Sequence, residues 1–205
     1  IYRNFFEGVS GRGIAVGFPD EVNLIWDAER MGLHWIWKNE FIDAARHWTG
    51  RGQGRTTPAG DQVNRLETWT PLVRGDSIDM SWPGESGREL GYRFRGYRLS
   101  EAGNPTFEYS IGESKLQDSI RPLGVGGFER KLTIARPSQR QGIGLIWRIA
   151  RAETIESIDG IYKVGEINLT MDGAEGEIVP FGSQSELRCR IPAGQVVTIT
   201  QILQW

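Results

Sequence analysis

Residues 31–54 hold the densest set of side chains able to do chemistry, with three of the eight Trp and both His of the chain. The segment begins as a strand and ends as a glycine-rich loop. Trp35 and Trp37 are two apart, so they share one face of a strand, and Trp48 stands where the loop begins. Flat aromatic rings of this kind stack on sugar rings while neighbouring polar groups bond the hydroxyls. Asn39, Asp43 and Arg51 supply such groups. The competing assignment puts Trp35 and Trp37 in a sandwich core, where aromatic side chains dominate burial. The sequence leaves Trp48 open between the two.

Asp43 and His47 have helical i, i+4 spacing, which would put them on one face of a turn as a carboxylate–imidazole dyad or two ligands of a metal. A third ligand would have to come from His34, and two His without a cysteine cluster make a poor zinc site. An Asp–His hydrogen bond pinning the loop is the simpler account. Carboxylate pairs for glycoside chemistry can be drawn from Asp27, Glu40, Asp43, Glu89 and Glu108, but sequence gives no separations. The Gly-x-Gly runs at 11–13 and 50–54 lack a phosphate-loop lysine and the strand–helix context of a dinucleotide site. There is no Gly-x-Ser-x-Gly elbow.

The elements that must position these residues read as β. Alternation places Val22, Leu24 and Trp26 on one face of a strand over 22–28. A next strand over 31–38 carries Leu33, Trp35 and Trp37 on one face and His34 and Ile36 on the other. Residues 41–48 have the spacing of two helical turns. Residues 61–90, with Pro71 and Pro83, form an extended excursion with short strands. From Gly91 onward strands recur at short intervals: 91–100, 104–111, 114–121, 127–136, 142–150, 161–164, 166–171, 175–179, 185–191 and 195–205. Phe107, Tyr109 and Ile111 alternate onto one face, as do Ile143, Leu145, Trp147 and Ile149. No segment has the length and stripe of a crossover helix. The expected fold is an all-β antiparallel sandwich with long loops, one domain over 1–205.

Charge and cysteine content narrow the classes. Net charge is −2, giving no general pull toward nucleic acid. Arg93, Arg95 and Arg98 beside Tyr97 read as a solvated sheet face. Of the 24 basic residues 20 are Arg, consistent with bidentate recognition of carboxylates or sugars, or with the base composition of the genome. Cys189 is the single Cys; it excludes an intrachain disulfide and a Cys-x-x-Cys-His haem motif, and alternation buries it in a strand. No run of apolar residues is long enough for a membrane span. Starting at Ile1 without a signal-peptide pattern, the chain reads as a mature fragment or an excised domain.

Three strings together carry a family resemblance: Gly13-Ile14-Ala15-Val16-Gly17-Phe18-Pro19, then Phe41-Ile42-Asp43 with Trp48-x-x-Arg51-Gly52, then Phe94-Arg95-Gly96-Tyr97-Arg98-Leu99 followed by Pro105-Thr106-Phe107-x-Tyr109. The chain resembles the β-rich domain of large exported proteins of planctomycetes and verrucomicrobia, which also carry c-type cytochrome and sugar-dehydrogenase-like modules. The resemblance covers roughly residues 1–135 and, more loosely, the rest. It implies an extracytoplasmic location, periplasmic or secreted, and a multidomain parent whose neighbouring modules are partners. Its motifs are structural, so no catalytic residue carries over.

Taken together, the chain is expected to be a non-catalytic accessory module, with no cofactor of its own, that packs against its neighbours or holds a glycan through Trp35, Trp37, Asn39, Asp43, His47, Trp48 and Arg51. The alternative is a carbohydrate-active hydrolase or lyase using carboxylates near Asp43 and His47. One cysteine cannot supply two thioethers, so the isolated chain should show no Soret band that survives acid–acetone extraction. A surviving band would contradict this reading.

Overall fold

The computed structural model describes residues 1–45, 54–66, 70–84, 87–124, 126–137 and 144–205. The described chain is nearly all β, as alternation and turn spacing indicate, and its strand ladders are all antiparallel. A first sheet is a meander of β1 (Tyr2–Asn4), β2 (Gly13–Gly17), β3 (Val22–Asp27), β4 (Gly32–Lys38) and β5 (Asp61–Arg65).

The second sheet has eight strands. They are β7 (Tyr92–Leu99), β8 (Pro105–Ile111), β9 (Ser114–Pro122), β10 (Gly127–Ala135), β12 (Ile155–Ile158), β13 (Ile161–Val164), β14 (Ile167–Asp172) and β17 (Val196–Gln204). Their spatial order is β12-β13-β14-β17-β10-β9-β8-β7. The third sheet orders β15 (Gly176–Phe181), β16 (Gln184–Arg190), β11 (Leu145–Ala152) and β6 (Leu72–Arg74). The short strand β12, polar at its centre, escapes the sequence reading.

One apolar cluster joins all three sheets. It takes Leu24, Trp26, Leu33 and Ile36 from the first, Phe107, Leu116, Leu132, Ile199 and Leu203 from the second, and Leu145, Trp147, Leu187 and Cys189 from the third. At its centre Trp26 stacks on Phe107, centroids 4.5 Å apart and planes 4° from parallel. The Trp26 indole Nε1 donates to Asp118 Oδ2 at 3.0 Å. Asp118 also accepts Arg130 Nε at 2.8 Å and Nη2 at 2.7 Å, and the Arg130 guanidinium lies 5.1 Å from the Trp147 ring centroid. Asp118 and Arg130 are buried. The three sheets therefore meet at one fully enclosed ion pair.

The first and third sheets are covered on both faces. Over the outer face of the first sheet, residues 5–10, 41–45 and 54–58 fold back, joined by the parallel bridge Phe6–Thr56 and the antiparallel bridge Ile42–Pro58. They enclose a second cluster of Phe6, Val9, Ala15, Ile25, Trp35 and Trp37. The former excursion, residues 75–84 and 87–90, covers the outer face of the third sheet. There Arg188 donates to the carbonyls of Ile78 and Met80, both at 2.7 Å, and the guanidiniums of the cross-strand partners Arg148 and Arg188 lie 4.6 and 4.8 Å from the Trp82 ring centroid. Arg148, Arg151 and Arg188 converge on the buried Glu186. Burial opposes the charge on Glu186, yet these guanidiniums keep its carboxyl below the ordinary range.

A buried ion pair broken on one side leaves a charge without compensation. Asp118→Leu should cost about 3–5 kcal/mol by urea unfolding, and adding Arg130→Met should restore much of it. A single variant as stable as the parent would show that the pair does not hold the junction.

Candidate functional site

Strand β4 runs through the segment singled out from the sequence, and a bulge redistributes its side chains. Ile25 pairs with Trp35 and Trp26 with Leu33, so His34 is an extra residue in the ladder. Leu33 and Ile36 therefore face the main core while Trp35 and Trp37 face the outer cluster. The expected alternation, Leu33 with Trp35 and Trp37, is corrected by this insertion.

Trp35 is 3% exposed and Trp37 is fully buried. The Arg65 guanidinium caps the Trp35 ring at 4.5 Å. Trp37 lies parallel to Phe41 and donates its Nε1 to the carbonyls of Glu40, at 2.9 Å, and Phe41, at 3.2 Å. Neither ring offers a face to a sugar, which corrects the platform reading for these two residues. The physical reason is that the chain after β4 returns over this face. The return is tight: a Cβ on Gly60 would lie 1.9 Å from the Lys38 carbonyl oxygen.

Of the remaining residues of that expectation, Asn39 and Asp43 are each engaged in local contacts. Asn39 is exposed, has φ 64°, and donates to Asp61 Oδ1 at 2.8 Å while its carbonyl accepts from Asn23 Nδ2 at 3.0 Å. Asn is among the few residues that tolerate this left-handed backbone. Asp43 is exposed and its carboxylate accepts the Ala45 amide at 2.9 Å, a turn-closing contact. His47, Trp48 and Arg51 lie outside the described residues, and with them the Asp43–His47 pair.

Of the other carboxylates, Asp27 is buried and accepts four bonds, from Ser10 N and Oγ, Glu29 N and Arg30 N, which fixes the β3–β4 turn. Glu108 is engaged by Arg98 and Gln117. Among the described residues no group of three His, Cys, Asp or Glu is placed to hold a metal ion. No helix there is long and apolar enough to cross a membrane.

The structure instead assembles a cleft at the seam between the first and second sheets. One compartment, about 430 Å³, is lined by Arg3, Asn4, Phe5, Arg12, Ile14 and Phe94, among others. A second, about 370 Å³, is lined by Arg12, Glu29, Met31, Arg88, Arg93 and Phe94, among others. Arg12, Ala28 and Phe94 belong to both, so the compartments adjoin. Phe94 is positioned from behind by Trp26, 5.4 Å away. A bulge between Phe94 and Gly96 lets both Phe94 and Tyr97 face inward, and the Arg3 guanidinium packs 5.1 Å from the Tyr97 ring centroid. Arg93 Nη1 is held by the carbonyls of Arg88, at 3.1 Å, and Tyr92, at 2.7 Å. The Tyr92 hydroxyl is committed to Leu72, accepting its N–H at 2.8 Å and donating to its carbonyl. Burial raises the Tyr92 hydroxyl pKa far above the ordinary value, so it is no proton acceptor.

Sequence reasoning missed this cleft because its arginines come from four separate turns and strands, with some 75 residues between Arg12 and Arg88. The excess of Arg over Lys pointed toward it, and Arg93, read from the sequence as part of a solvated sheet face with Arg95 and Arg98, lines it.

No family model and no curated protein matches the chain. Among solved structures it is similar to a heparinase III, with a TM-score of 0.48 and 9% sequence identity, covering 100% of this chain and 35% of that one. A likeness of this size carries no argument about function.

His34, inserted by the bulge, is buried, and its Nδ1 has no hydrogen-bond partner among the described residues. Burial pulls its pKa down to about 4, against a smaller opposing pull from Asp27. The folded chain thus keeps His34 neutral while the unfolded chain takes up a proton below about pH 6.5. This contribution is whole above that pH and is lost progressively as the pH falls toward 4. From pH 7 to 4.5 the parent should lose on the order of 2 kcal/mol more stability than His34→Gln. Equal losses in chemical denaturation would show that His34 titrates normally.

Proposed function

We propose that the chain is a non-catalytic β-sandwich module of an exported multidomain protein and that it holds a carbohydrate in the seam cleft. One observation carries the reading. The cleft combines an apolar floor of Ile14, Ala28 and Phe94 with the guanidinium donors of Arg3 and Arg12, the composition expected of a small-molecule site. Each compartment falls within the roughly 300–1,000 Å³ usual for such sites.

The non-catalytic part rests on what lines the cleft. Glycoside hydrolysis requires two carboxyl groups roughly 5–10 Å apart across the scissile bond. Glu29 is the one carboxylate among the described lining residues. The exported parent, and cytochrome- and dehydrogenase-like neighbours for this module, rest on the resemblance of the three strings.

The test is a titration with a panel of oligosaccharides, followed by backbone and side-chain NMR, with product release monitored in parallel. Shifts should centre on Phe5, Arg12 and Phe94, with no new reducing ends or unsaturated sugars. Shifts centred on Asn39 and Asp43, or turnover abolished by Asp43→Asn, would replace the binding module with an enzyme.

A further inference from the structure

We infer that the ligand of the seam cleft is an acidic saccharide, bearing carboxylate or sulfate groups; the inference rests on the carbohydrate reading above and adds the charge of the ligand to it. The chain as a whole is net negative, at −2, so a local excess of positive charge needs a cause. Four guanidiniums line the two adjoining compartments, those of Arg3, Arg12, Arg88 and Arg93, against the single carboxylate of Glu29.

Many arginines elsewhere are paired with carboxylates, although Arg55, Arg65, Arg74, Arg95 and Arg136 form no such pair among the described residues. Arg98 is matched with Glu108, Arg121 with Glu129, Arg130 with Asp118, Arg190 with Glu177, and three more with Glu186. None of the four cleft arginines forms an ion pair with a carboxylate among the described residues, Glu29 included. Two of them are nevertheless held in place without one: Arg3 by the Tyr97 ring, and Arg93 by the Arg88 and Tyr92 carbonyls. Cations oriented by neutral groups keep their full charge for an incoming anion. The guanidinium fork matches carboxylate and sulfate oxygens in bidentate geometry.

Arg12 is the member that borders both compartments, so it sits where one acidic residue of a saccharide passes to the next. The apolar floor shared by the compartments, Ala28 and Phe94, suits the carbon face of a sugar ring. A long nucleic acid would meet the net negative remainder of the chain. A short acidic saccharide confined to the seam would not.

The experiment is calorimetry of the full chain with a galacturonate hexamer, a sulfated galactan hexasaccharide, neutral cellohexaose, inorganic sulfate and duplex DNA. The acidic hexasaccharides should bind at least about tenfold more tightly than cellohexaose, and more weakly as salt is raised. Arg12→Gln and Arg88→Gln should each weaken binding by about tenfold, the size of one lost charge-assisted contact. Arg98→Gln removes the same charge from a paired site outside the cleft and should leave affinity within about twofold.

The comparison of the two acidic hexasaccharides assigns carboxylate or sulfate. If cellohexaose binds as tightly as either and the Arg12 and Arg88 variants are unaffected, the carbohydrate reading stands and the acidic assignment falls. If no hexasaccharide binds, or only DNA or inorganic sulfate does, both fall. Equal losses from Arg98→Gln and Arg12→Gln would reduce the effect to general electrostatics and overturn the assignment.

Discussion

Asp118 and Arg130 make one bidentate ion pair in the fully enclosed centre of the molecule, and each of the three sheets touches it. The eight-stranded sheet supplies the pair, β3 supplies Trp26 as a donor to it, and β11 supplies Trp147 as an aromatic wall against the guanidinium. Apolar contacts alone are non-directional and tolerate sliding of one layer over another. An indole N–H aimed at a particular carboxylate oxygen does not. The stacking of Trp26 on Phe107 and its contact with Phe94 follow from that placement, and so does the position of the cleft whose floor Phe94 forms.

Covering is the second constraint. A sheet that packs with one face on a partner normally leaves the other to water. Here the outer faces of the five- and four-stranded sheets are covered by returning chain, and the two covers use different chemistry. Over β4 the cover is aromatic and aliphatic, drawing Trp35, Trp37 and Phe41 into one small core. Over β11 and β16 it is ionic, with Glu186 gathering three arginines and Trp82 packed against two of them. Both devices consume groups that on an open surface would be taken for recognition residues.

What remains for recognition lies at the seam between layers. Two sheets that meet at an angle leave a wedge along their line of contact, and side chains from turns of both reach into it. Arg3 and Arg12 come from the first sheet and its connections, Arg88 and Arg93 from the approach to and start of β7. Their charge is unmatched because the packing that brings them together brings only Glu29 with them.

The sequence by itself determined the class of fold and most of the strands, since alternation and turn residues act over a few positions. It placed Val22, Leu24 and Trp26 on one face, and Phe107, Tyr109 and Ile111 on another, as the structure does. The near-continuous apolar runs of 22–26 and 31–37 were also a local signal of strands buried on both faces. Tertiary structure alone decided the rest. It inserted His34 as a bulge and so turned Trp35 and Trp37 away from Leu33, because the ladder register depends on the partner strand. It aimed Trp26 at Asp118 across 92 residues of sequence, and it gathered Arg3 and Arg12 with Arg88 and Arg93 at one seam. Those outcomes depend on which surfaces meet, and no local pattern of residues encodes that meeting.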